Sequence, residues 1–87
     1  MRIVETPQFK KKVAKLTPKL QLAFGERMRL FADDRRHPLL NDHKLTGARK
    51  HQRSINITGD WRLIYEQYDE NTVRLIDIDT HPKLYGK

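Results

Sequence analysis

The stretch TGDWRLIYE, residues 58–66, sets Arg62 among Trp61, Leu63, Ile64 and Tyr65 in the most strand-like part of the chain. A guanidinium stays charged at every accessible pH, and its planar fork can hold two oxygens of a phosphate. Read alone, Arg62 is either a phosphate-binding group on a rigid strand or a side chain whose stem covers Ile64 while its head stays in water. The groups able to move protons near neutral pH are four histidines, His37, His43, His51 and His81. His37 and His51 have no metal-ligand spacing with any other residue. There is no cysteine, hence no thiolate chemistry and no disulfide. No Gly-rich phosphate loop and no nucleophilic triad is apparent. The sequence therefore implies no metal and no cofactor.

The charge points to a polyanion. The formal net charge is +7 over 87 residues. Residues 1–25 carry six basic side chains against Glu5, residues 26–60 eight against five acidic ones, and residues 61–87 four against five. The first two thirds of the chain thus generate a basic field, which attracts nucleic acid or an acidic protein partner by counterion release and steering. The start, MRIVETPQFKKK, lacks the apolar core of a signal peptide, and no apolar run is long enough to span a membrane. A cytoplasmic protein with no membrane partner is expected. The length suits one domain, residues 1–87.

These residues must be positioned by few elements. RIVE, residues 2–5, reads as a short strand. Thr6-Pro7 and Thr17-Pro18 each read as an N-cap followed by proline at the first helical position. Phe9, Val13 and Leu16 form one apolar stripe, and Leu20, Phe24, Met28 and Phe31 a second. Two antiparallel helices are expected. Residues 33–50 are irregular, with Leu39, Leu40 and Leu45 pinning them to the core. Three strands follow, HQRSINI, WRLIYEQY and VRLIDID, joined by the short turns TGD and DENT. Alternation in the last strand places Val73, Leu75 and Asp77 on one face. The fold class is α+β in the order β-α-α-β-β-β, an antiparallel sheet with a helical hairpin on one face. The other face is left open and carries Ser54, Asn56, Arg62 and Ile64.

DHKLTG at 42–47, SINITGDWRLIYE at 54–66 and THPKLY at 80–85 together resemble the RelE/ParE superfamily, the toxins of type II toxin–antitoxin modules. The Leu-x-Gly of Leu45–Gly47 and the aromatic-Arg-Leu-Ile-Tyr of 61–65 are fairly specific at this spacing. The resemblance covers nearly the whole chain, and His43 and His81 place it nearest the YafQ-type and RelE-type members. It implies a ribosome-dependent endoribonuclease that cuts mRNA in the ribosomal A site. The alternative is a ParE-type inhibitor of DNA gyrase without nuclease activity.

The resemblance also implies roles. Arg62 matches the arginine on the scissile phosphate, His81 a proton-transfer group, and His43 a second one. Tyr85 matches an aromatic that stacks on or orients the substrate base, and Asp60 an acidic position that orients a histidine or shapes the turn. Lys44, Arg49, Lys50 and Arg53 form a basic cluster suited to mRNA or ribosomal RNA phosphates. Ser54 and Asn56 depart from the pattern, because RNA-cutting members carry lysine or histidine at those positions. The implied partners are a cognate antitoxin, the ribosome and mRNA, with promoter DNA bound only through the antitoxin complex.

Overall fold

The structure, a computed structural model, describes residues 1–85. Both threonine–proline pairs start helices as their chemistry requires. Thr6 Oγ1 accepts the Phe9 N–H at the start of α1 (Pro7–Ala14), and Thr17 Oγ1 accepts the Leu20 N–H at the start of α2 (Pro18–Asp33). Gln21 on α2 reaches back to the end of the preceding helix. Its amide lies within hydrogen-bond reach of the carbonyls of Val13, Ala14 and Leu16 and so ties α2 to the end of α1. The Phe9 and Phe24 rings, 5.7 Å apart, join the two helices.

Five strands form one sheet in the order β1-β5-β4-β3-β2: β1 (Arg2–Glu5), β2 (His43–Lys44), β3 (Arg53–Asn56), β4 (Trp61–Asp69) and β5 (Thr72–Thr80). Strands β2 to β5 are antiparallel, but β1 runs parallel to β5. The sheet is therefore mixed: the helical pair carries the chain from β1 at one edge to β2 at the other, and β5 later returns beside β1 in the same direction. The core lies between the helices and one sheet face, with Phe9, Phe31, Leu40, Ile55, Ile57, Leu63, Tyr65, Val73, Leu75 and Ile78 fully buried. Leu45 is half-buried, whereas Leu39 is 57% exposed and pins nothing.

Two departures from the sequence reading shape the site. Tyr65 pairs with Leu75 and Ile64 with Asp77, so Ile76 is an extra residue on β5. This bulge resets the alternation. Ile78, not Asp77, joins Val73 and Leu75 in the core. The second departure is α3 (His81–Tyr85), a five-residue helix where the sequence reading saw only a closing tail. It covers part of the face expected to be open. Leu84 is buried there, and Ser54 and Ile64 are both inaccessible to solvent.

Candidate active site

Two cross-strand rows build the site on the sheet face away from the α1–α2 pair. In the first, His43 of β2 pairs with Ser54 of β3, Ser54 with Ile64 of β4, and Ile64 with Asp77 of β5. In the second, two residues along, Asn56 pairs with Arg62 and Arg62 with Asp79. Alternation keeps residues i and i+2 on one face, so both rows share it. Helix α3 lies against this face. The Tyr85 hydroxyl donates to Ser54 Oγ at 3.1 Å, and the Tyr85 ring meets the His81 imidazole edge-on at 4.5 Å. The Asn56 side-chain oxygen is buried here without a partner among the described residues.

His43 is exposed, and its ring is oriented by the loop before it. Nδ1 lies 2.7 Å from the Asn41 carbonyl. A carbonyl only accepts, so Nδ1 carries the hydrogen and, in the neutral ring, Nε2 keeps the free lone pair. Asn41 reaches this geometry with a left-handed backbone, φ +47°, a conformation asparagine tolerates. Asp42, one residue on, is clamped. Its carboxylate accepts from the Tyr65 hydroxyl at 2.6 Å and from Arg53 Nε at 2.9 Å, with Arg35 Nε at 3.6 Å. Burial and the Asp42 carboxylate push the Tyr65 hydroxyl up to about 12.

His81 is exposed and tied through its backbone, its N–H donating to the Asp60 carbonyl at 2.9 Å. Asp60 thus acts through its main chain, linking the β3–β4 turn to α3. The Arg62 guanidinium folds back over that turn. Its Nη1 lies within 3.0–3.2 Å of the carbonyls of Thr58, Gly59 and Trp61.

The acidic partners in the rows turn toward the open edge of β5, beyond the end of β1. Asp77 and Asp79 accept the backbone N–H groups of Ile78 and Thr80, and both bind Lys12 Nζ, at 2.7 and 2.9 Å. Burial opposes charge on Asp79, but the Lys12 ammonium and the Thr80 N–H outweigh it and hold the carboxyl below the usual range. Burial would likewise lower Lys12, and the two carboxylates hold it above the ordinary lysine value.

The structure thus gathers His43, Arg62, His81 and Tyr85 around one face, with Asp60 at its margin. The basic cluster divides. Lys44 and Lys50 are exposed, while Arg49 is bonded to Gln52 and Arg53 to Asp42. Lys44, Lys50 and Arg53 still line one depression, with Arg35, His51, Gln52 and Gln67. A broader depression beside the Asp42 clamp is lined by Arg35, Arg36, His37, Pro38, Asn41, Asp42 and Arg53, and none of His43, Asp60, Arg62, His81 and Tyr85 lines it. His37 caps the short 3-10 turn Pro38–Leu40, its Nδ1 accepting the Leu39 N–H. The Asp42 clamp and the Ser54–Tyr85 bond escape sequence reasoning, because their partners stand 7 to 31 positions apart with no local pattern to announce them. Among the described residues no group of three or more His, Cys, Asp or Glu could hold a metal.

This mixed sheet with its helices matches the fold of RelE/ParE-like toxins. The structure of YafQ from Escherichia coli strain BL21(DE3) superimposes with a TM-score of 0.77 at 26% identity, covering 99% of this chain and 100% of that one. YafQ in the E. coli DinJ–YafQ complex gives 0.76 at 27% identity, over 99% and 100%. The toxin–antitoxin complex RelBE2 from Mycobacterium tuberculosis gives 0.69 at 26%, over 92% and 96%. The YoeB/ParE toxin from Agrobacterium tumefaciens, at 16% identity and a TM-score of 0.73, shares the fold. No curated protein sequence matches significantly. The family model for YafQ, a bacterial toxin of a type II toxin–antitoxin system, matches residues 1–86, and the chain belongs to that family.

Proposed function

We propose that this toxin is a metal-independent endoribonuclease that cuts mRNA on the ribosome. The observation that carries the reading is the convergence of His43, Arg62 and the His81–Tyr85 pair on one sheet face. Cleavage without a metal uses the ribose 2′-hydroxyl as nucleophile against the adjacent phosphate. A base takes the 2′ proton, fixed positive charge stabilises the phosphorus oxygens, and an acid protonates the leaving 5′ oxygen. His43 suits the base, since its Nδ1–H is engaged and its Nε2 is free. His81 suits the acid. Arg62 suits the phosphate, because its planar fork can hold two phosphate oxygens and there both partners of the bond carry charge. Tyr85 orients His81 and presents a ring for a base to stack on. Asp60 serves by fixing the turn and the start of α3. A site with so few groups depends on positioning, and the ribosome would supply it by holding mRNA in place. Lys44 and Lys50 are the free basic groups for RNA phosphates. Arg53 and Arg49 contribute field while bound to their own partners.

The YafQ and RelBE2 complexes with antitoxins support a cognate antitoxin for this chain. Lys10, Lys11 and Lys15 have no ion-pair partner among the described residues, whereas Lys12 is held by Asp77 and Asp79. That exposed row suits an acidic antitoxin segment that folds on binding. A short acidic open reading frame beside the gene is expected, and promoter DNA would be bound through its product. Expression in cells tests the activity. Arrested translation with cut transcripts supports the nuclease. An induced DNA-damage response with linearised DNA would assign a gyrase inhibitor instead.

A further inference from the structure

Ser54 is fully buried, and apart from the Tyr65 hydroxyl its side chain is the one polar group in the fully buried set among the described residues. A buried hydroxyl is retained at little cost only when it is hydrogen-bonded. Its partner is the Tyr85 hydroxyl, across 31 positions of sequence. Helix α3 has five residues, too few to hold a helix by itself. Its placement depends on three anchors: the His81 N–H on the Asp60 carbonyl, buried Leu84, and Tyr85 on Ser54. The third ties down the hydroxyl end of the Tyr85 ring, which packs edge-to-face with His81.

We infer that Ser54 is a positioning residue: it holds Tyr85, and Tyr85 sets the orientation of the His81 imidazole over the site. The inference rests on the nuclease reading for its consequence, but not for its geometry.

The test uses the full chain with Ser54→Ala, Ser54→Thr and Tyr85→Phe. In the NMR spectrum the His81 ring protons feel the Tyr85 ring current. Ser54→Ala and Tyr85→Phe should move them toward free-histidine values while the amide pattern of the sheet is unchanged. Ser54→Thr, which keeps the hydroxyl, should restore the wild-type positions. In ribosome-dependent mRNA cleavage, Ser54→Ala and Tyr85→Phe should each lower kcat about tenfold with KM within about twofold, as loss of one such hydrogen bond implies. The double variant should be no worse than either single one, because both break the same bond. If the His81 resonances stay in place in Ser54→Ala, the positioning role is refuted whatever the cleavage assay reads. If they move as expected but the wild-type protein cuts no RNA, the positioning role stands and the nuclease reading falls.

Discussion

Replacing Asp42 by alanine should unfold this protein more readily than any substitution at the exposed site. The Asp42 side chain is 9% exposed and holds three groups together: the Tyr65 hydroxyl at 2.6 Å, Arg53 Nε at 2.9 Å and Arg35 Nε at 3.6 Å. Asp42→Ala leaves a partly buried Arg53 guanidinium without its carboxylate. Breaking a buried ion pair by removing one member costs about 3–5 kcal/mol. The Tyr65 hydroxyl also loses its acceptor, worth about 1 kcal/mol, although it stays in contact with Arg35 Nη2 at 2.8 Å. Arg53 is 27% exposed, so water recovers part of the loss. An overall cost of about 3–4 kcal/mol follows. For a domain of this size that lowers Tm by roughly 12–30 °C. Tyr65→Phe removes one hydroxyl and leaves the ion pairs, so it should cost about 1 kcal/mol. Because the two residues share a bond, the double variant should fall short of the summed losses by about 1 kcal/mol. Urea unfolding followed by circular dichroism measures all four proteins. If Asp42→Ala stays within about 0.5 kcal/mol of wild type, the clamp does not hold the segment before His43, and the reasoning fails.

The same clamp makes stability fall at alkaline pH. Tyr65 is pushed from 10 up to about 12 in the fold, so its contribution is complete below pH 10 and is lost as pH rises toward 12. Absorbance at 295 nm should show one late tyrosine step, absent in Tyr65→Phe. Asp79 is held below its ordinary value by Lys12, so its contribution is present at neutral pH and fades as pH falls through the acid range. Lys12→Met should flatten that acid limb in unfolding curves measured between pH 5 and 2. Two glycines should respond with opposite sign to alanine. Gly47 has φ +67°, so Gly47→Ala should cost about 1 kcal/mol. Gly25 lies inside α2 with open space at its Cβ position, so Gly25→Ala should stabilise by about 0.5–1 kcal/mol. Thermal unfolding reads both.

What could be read from the residues was what local chemistry decides. Thr6-Pro7 and Thr17-Pro18 start both long helices because a hydroxyl acceptor and a fixed proline φ act within one turn. The last three strands follow from β-branched runs and polar turns. What escaped was set by tertiary contact. The parallel pairing of β1 with β5 joins residues 70 positions apart, as Arg2 with Thr72. The β2 strand is two residues long and exists through pairing with Ser54 and Arg53. Alternation in VRLIDID runs unbroken on paper, yet the bulge at Ile76 moves Asp77 out and Ile78 in. Helix α3 has no periodic signal and forms by docking. The candidate residues His43, Arg62, His81 and Tyr85 stood out in the sequence by type, and the structure sets them around one sheet face. Their connections were not legible, since Ser54 was expected on an open face and is buried under Tyr85. Arg53 and Arg49 were expected to be free for RNA and are bonded within the fold.

The proposed activity is RNA cleavage at the face carrying Arg62 and His81. Purified protein added to translating ribosomes, with primer extension along the mRNA, tests it most directly. Wild type should cut transcripts at the ribosome, and Arg62→Ala and His81→Ala should each cut at least about a hundredfold more slowly with the fold intact. Uncut transcripts with wild type, or cleavage by both variants at the wild-type rate, would contradict the account.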